Sequence, residues 1–153
     1  MDACQDPRIA AFGMFLEAHA GVVGAVNRDL EADSGMPVSW FEVLVRLVRS
    51  PGERLRMSEL ASQVALSTSG LTRLADRLDE AGFIRREACP SDRRGAFAVL
   101  TDEGRRTLEQ ALPAHLASLD RHLAQPLGEE GMATFEGLMR VLRDGTDRAR
   151  RAS

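Results

Sequence analysis

The chain has 153 residues, of which 44% are hydrophobic and 28% charged; this suits a soluble globular domain with a real core and excludes a disordered chain. Aromatics make up only 5%, with one Trp and no Tyr, so the core must be built from Leu, Val, Ala, Met and Phe, a filling that favours helix over sheet. The net charge of −3 is unevenly spread: residues 46–106 carry 12 Arg against 9 acids and the remainder 8 Arg against 14, with no Lys anywhere.

Residues 7–31 read as a long helix, with Ile9, Phe12, Leu16, His19, Val23, Val26 and Leu30 recurring at steps of three and four. Asp6 can cap it, and Pro7 suits its first turn. So long a stripe needs a large apolar partner, such as another subunit. Ser34-Gly35-Met36-Pro37 breaks the helix. Ser39 then caps a second helix, with Glu42 completing a capping box ahead of Val43, Leu44, Leu47 and Val48. Ser50-Pro51-Gly52 is a turn, and 55–57 a short strand. Ser58 caps a short third helix, and Leu66-Ser67 turns into a fourth over 68–81. That helix points Leu71, Leu74, Ala75 and Leu78 inward and ends at Gly82. Residues 83–89 and 96–100 form a two-stranded hairpin around a turn-rich loop, too small to stand without the helices. Thr101-Asp102-Glu103 starts a helix running to about residue 124 and bent at Pro113. Pro126-Leu127-Gly128 precedes a last helix over 129–148.

No apolar run of about 18 residues occurs, so no membrane span is expected. MDACQDPR has no apolar run, which argues against a secretory signal and for a cytoplasmic location. Cys4 and Cys89 make no disulfide framework. His19, His115 and His122 lack metal-ligand spacing, and no phosphate loop or nucleophile elbow is present; no metal, cofactor or enzymatic activity is expected. His115 and His122, seven apart, share a helix face and read as interface polarity.

The segment 58–101 carries the functional signal. A helix-turn-helix lays its second helix in the major groove while the first braces it. Ser67, Thr68, Ser69 and Gly70 crowd the start of that second helix with hydroxyls and little bulk, which lets backbone N–H groups approach phosphates. Thr72 and Arg73 follow on the outward face, with Arg77 one turn later; Arg73 can reach a guanine edge or a phosphate, Arg77 a phosphate. The alternation Arg73, Asp76, Arg77, Glu80 equally describes an exposed ion-paired face, and the helix alone does not decide between the two. The hairpin tip adds Asp92, Arg93 and Arg94; Arg on a projecting ribbon can enter a narrow minor groove, and Asp92 can orient it.

The stretch SELASQVALSTSGLTRLADRLDEAGFIRREACPSDRRGAFAVLTDEG, with its D-x-R wing running into Leu100-Thr101, resembles the MarR family of bacterial transcription regulators. Ala98 stands where the family usually has Leu. The resemblance implies a mainly α fold with a small β-hairpin wing: a winged helix-turn-helix lobe over 39–101, and dimerisation helices over 1–34 and 102–148. It implies a homodimer on near-palindromic double-stranded DNA, acting as a repressor, with Arg94 the leading wing contact.

Such regulators are often released by a small aromatic or anionic effector. Phe12, Phe15, His19, Trp40, Leu44 and Leu47, with Arg46 or Arg49 as anchor, are the candidate residues; simple core packing is the alternative for the same set. A thiol switch is the rival. Cys4 lies among acids that do not favour a thiolate, and Cys89 lies near Arg85, Arg86 and Arg93, which can lower its pKa, although a buried inert thiol fits too. A winged-helix protein-interaction module without DNA binding is the other functional class.

Overall fold

The computed structural model describes residues 5–64, 67–89 and 92–152, with 68, 92–94 and 147–152 described by backbone alone. Cys4, Leu66 and the turn at Pro90-Ser91 lie outside the described residues. The chain divides into two compact units, one formed by Asn27–His115 and the other by the segments before and after it.

Helix α1 spans Pro7–Ser34. Asp6 caps it as expected: its carboxylate accepts the Arg8 backbone N–H at 2.8 Å. Gly35, at φ +68°, ends it. By length and composition alone α1 is apolar enough to cross a bilayer, although it contains no continuous apolar run. Its Ala, Gly and Val residues spread apolar character around the whole helix instead of confining it to a stripe.

Helix α2 (Val38–Val48) starts one residue before the expected Ser39 cap, and the Ser39–Glu42 box does not form. Pro37, extended at φ −60° and ψ 141°, occupies the N-cap position. The free N–H of Val38 finds Asn27 Oδ1 of α1 at 3.1 Å. Strand β1 (Arg54–Arg56) runs directly into α3 (Met57–Gln63), so Ser58 lies inside the first turn instead of capping it. The Arg56 N–H is met by the Glu59 carboxylate at 3.3 Å.

Helix α4 (Thr68–Glu80) is followed by β2 (Ile84–Cys89) and β3 (Asp92–Leu100). The expected two-stranded hairpin is a three-stranded antiparallel sheet in the order β1-β3-β2, with Leu55 opposite Ala98 and Arg86 opposite Ala98 from the other side. The third strand supplies the support that a bare hairpin lacks. The loop expected over 90–95 is shorter, because β3 already begins at Asp92, with a register shift at Ala88/Cys89.

The lobe's core joins Leu30, Phe41, Leu44, Leu47, Leu60, Leu71, Leu78, Ile84, Ala98, Leu100 and Leu108. Leu71, Ala75 and Leu78 point inward as expected, whereas Leu74 is only partly buried at the core's edge. Helix α5 (Asp102–Leu119) takes its cap from Thr101, whose Oγ1 accepts the Gly104 N–H at 3.0 Å. The same hydroxyl donates to the Gly82 carbonyl at 2.6 Å, and the Thr101 N–H donates to Phe83 O at 3.1 Å. The start of α5 is thereby clasped to the chain leaving α4. Gly104 lies so close that a Cβ there would overlap the Phe83 carbonyl oxygen.

Helical structure continues through Pro113, and the departure from α geometry falls on a π-helical turn at Asp120–Ala124. Helix α6 spans Gln125–Ala152, with the expected break at Gly128 (φ 67°, ψ 176°). The terminal unit exposes Ile9, Phe12, Met14, Phe15, Leu16 and Val23 of α1, and Leu138, Val141 and Leu142 of α6. Between α1 and α6 runs a groove of about 470 Å³ lined by Phe15, His19, Val22, His122, Phe135 and Met139, among others.

Candidate nucleic-acid interface

The interface is built on α4. Ser67 is its N-cap, with Oγ accepting the Gly70 N–H at 3.1 Å and lying 3.3 Å from Ser69 Oγ. The first turn therefore presents hydroxyls and a glycine without large side chains, and the cap leaves other N–H groups of that turn without helical acceptors. Burying Leu71, Ala75 and Leu78 turns Ser69, Thr72, Arg73, Asp76 and Arg77 to solvent.

Among the described residues, the ion pairs on this face do not run along the helix. Asp76 does not bridge to Arg73 or Arg77; it takes Arg86 of β2, at 2.7 Å. Arg73 and Arg77 form no ion pair among the described residues. The helix thus carries two exposed guanidinium groups not neutralised by its own carboxylates.

Asp92, Arg93 and Arg94 all fall at the start of β3, on the strand that forms the wing's free end; their side chains lie outside the described residues. Behind the tip, Arg54 stacks over Phe97 with its guanidinium carbon 4.0 Å from the ring centroid. Glu87 pairs with Arg85 at 2.8 Å and with Arg54 at 3.5 Å. These contacts hold the outer face of the sheet.

The candidate effector residues fall in both units. Phe12, Phe15 and His19 line up on α1, with ring centroids 6.4 and 6.2 Å apart, in the terminal unit. Leu44 and Leu47 are fully buried in the lobe's core and open to no ligand, and Trp40 packs edge-on against Phe83 at 5.7 Å. Packing, the alternative for these three, accounts for them. Arg46 differs: its buried Nε has no hydrogen-bond partner, and the same holds for His115 Nδ1. His115 packs on Phe41 at 4.1 Å in the lobe, while His122 belongs to the other unit. Burial holds the His115 pKa below its ordinary value, opposed by the charge of Glu42. Cys89 is buried and forms no disulfide among the described residues.

Two residues escaped the sequence reading. Arg86 shares a strand face with Ile84 and so points to the helical layer, a signal available from the alternation of β2. Gly104 offered none, because its importance lies in a contact made through space.

Comparison with known proteins matches residues 34–95 to the model of the MarR family. The MarR family regulator Sco3205 of Streptomyces coelicolor, whose structure was solved in complex with DNA, is 36% identical with a TM-score of 0.81, covering 89% of this chain and 86% of that one. AbsC, a MarR family regulator from the same organism, is 34% identical with a TM-score of 0.82, covering 94% and 96%. The HTH-type transcriptional repressor YetL of Bacillus subtilis is 31% identical over 99 residues, 65% of this chain and 59% of that protein.

Proposed function

The chain belongs to the MarR family of transcriptional regulators, and from that premise we propose that it binds near-palindromic duplex DNA as a cytoplasmic homodimer and represses transcription. The observation that carries the DNA reading is the pair of un-neutralised guanidinium groups, Arg73 and Arg77, on the exposed face of a helix with a small-residue start. In this reading α4 enters a major groove, and Ser67, Thr68, Ser69, Gly70 and Thr72 meet the backbone near its start. Arg94 of the wing, oriented by Asp92 and flanked by Arg93, reaches the adjacent minor groove. The second copy covers the exposed apolar side chains of α1 and α6.

A duplex selected by the protein from a random-sequence pool tests this. Its affinity should fall steeply with salt, because each neutralised phosphate adds about 0.9 to the slope of log K against log salt. Enrichment of no duplex, or a flat salt response, overturns the DNA reading and favours a protein-interaction module. The dimer is checked separately by sedimentation equilibrium.

An anionic effector has one supporting observation, the unpartnered Arg46 Nε and His115 Nδ1 beside α2. Benzoate should then release the selected duplex from the parent protein and fail to release it from Arg46→Gln. Equal release from both removes the effector from this site.

A further inference from the structure

Arg86, on wing strand β2, makes polar contacts to the recognition helix directly. Its Nη2 donates to the Thr72 carbonyl of α4 at 3.0 Å and lies 2.7 Å from Asp76 Oδ1. It stands on the core-facing side of β2, opposite the fully buried Ala98. One guanidinium nitrogen therefore joins the two elements that must enter neighbouring grooves, with a carbonyl and a carboxylate as its two acceptors.

Resting on the DNA-binding reading, we propose that Arg86 is a positioning residue for DNA recognition with two effects. It fixes the offset between the wing and α4, so that the two groove contacts form together without further ordering on binding. It also neutralises Asp76, the carboxylate between Arg73 and Arg77 on the exposed face. Without that partner Asp76 would repel phosphate and compete for the two guanidinium groups meant for DNA. Arg86 itself stays with the protein and touches no phosphate.

The two effects separate experimentally. The probe is the duplex selected by the parent protein, titrated across a range of salt concentrations, with thermal melts to show that each variant is folded. Arg86→Gln should weaken binding by about tenfold or more, the coupling expected of neighbours in one network. Arg73→Gln, a direct phosphate or base-edge contact, should instead lower the slope by about one per subunit. Asp76→Asn combined with Arg86→Gln should regain the electrostatic part of the loss and not the positional part. Arg86→Lys keeps the charge on a shorter side chain without the guanidinium plane and guards against a folding defect in the Gln variant; it should fall between parent and Arg86→Gln.

A folded Arg86→Gln protein with parental affinity overturns the proposal, and so does an Asp76→Asn/Arg86→Gln protein whose salt slope drops as in Arg73→Gln, since with Asp76 also uncharged that makes Arg86 a phosphate contact. A parent protein that enriches no duplex is a different failure: it removes the DNA-binding reading, and this inference with it.

Discussion

Replacing Gly104 by Ala sets two effects of opposite sign against each other. Gly104 is the third residue of α5 and has no positive φ, so helix propensity alone predicts that Ala stabilises the protein by about 1 kcal/mol. The structure predicts the reverse. An added Cβ overlaps the Phe83 carbonyl oxygen, lies 2.8 Å from its carbon and sits 3.0 Å from Leu100 Cδ1. Backbone cannot rotate away as a flexible side chain does, so α5 must shift outward. Crowding of this kind costs about 1–3 kcal/mol. The shift also strains the Thr101 N–H bond to Phe83 O and the Thr101 hydroxyl bond to Gly82 O, each contributing about 0.5–1.5 kcal/mol. The net expectation is a loss of about 2–4 kcal/mol after the propensity gain is set against it. Urea denaturation at fixed protein concentration measures it, with Gly145→Ala as control because nothing lies near its Cβ position. A Gly104→Ala protein as stable as the parent would refute the close approach.

Three further outcomes are expected. Leu78→Ala, at a fully buried position, should cost about 2–5 kcal/mol, and Leu74→Ala at the core's edge clearly less; equal losses in denaturant midpoints would mean that α4 is rotated from the orientation described. Ser67→Ala should lose about 1 kcal/mol with the N-cap bond to Gly70, and an unchanged melting temperature would count against that bond. For His115 the folded state disfavours the proton, so the unfolded chain takes up a proton first as pH falls below its ordinary value of 6.5. Its contribution to stability is present above that pH and is lost as pH drops towards the depressed folded value. His115→Phe should flatten this limb of a stability-against-pH curve, and a limb unchanged by the substitution assigns it to another group.

Most of the helical layout was legible because strong local signals agree with the final packing. Asp6 and Thr101 are caps whose side chains find N–H groups two or three residues on, and the step of three and four in α4 identifies its buried side up to Leu74. Where the reading failed, a distant partner outweighed the local signal. The Ser39 box lost to Pro37 and to Asn27, eleven residues back, and the hairpin proved to have a third strand because β1 pairs across more than forty residues of chain. The site shows the same division. That Ser67 stands at the start of α4 and that Arg73 and Arg77 face outward was readable from order and type. That Asp76 pairs with β2, leaving the two Arg uncompensated, depends on the docking of the wing strand against α4, which no local pattern specifies.

The chain's one indole also has a practical consequence. Trp40 rests edge-on against Phe83, the residue that joins the end of α4 to the sheet and whose carbonyl receives the start of α5. Nature has thus placed the molecule's single bright chromophore at the joint through which the DNA-reading elements connect. A change in Trp40 emission on adding a duplex would report movement at that joint without any added label.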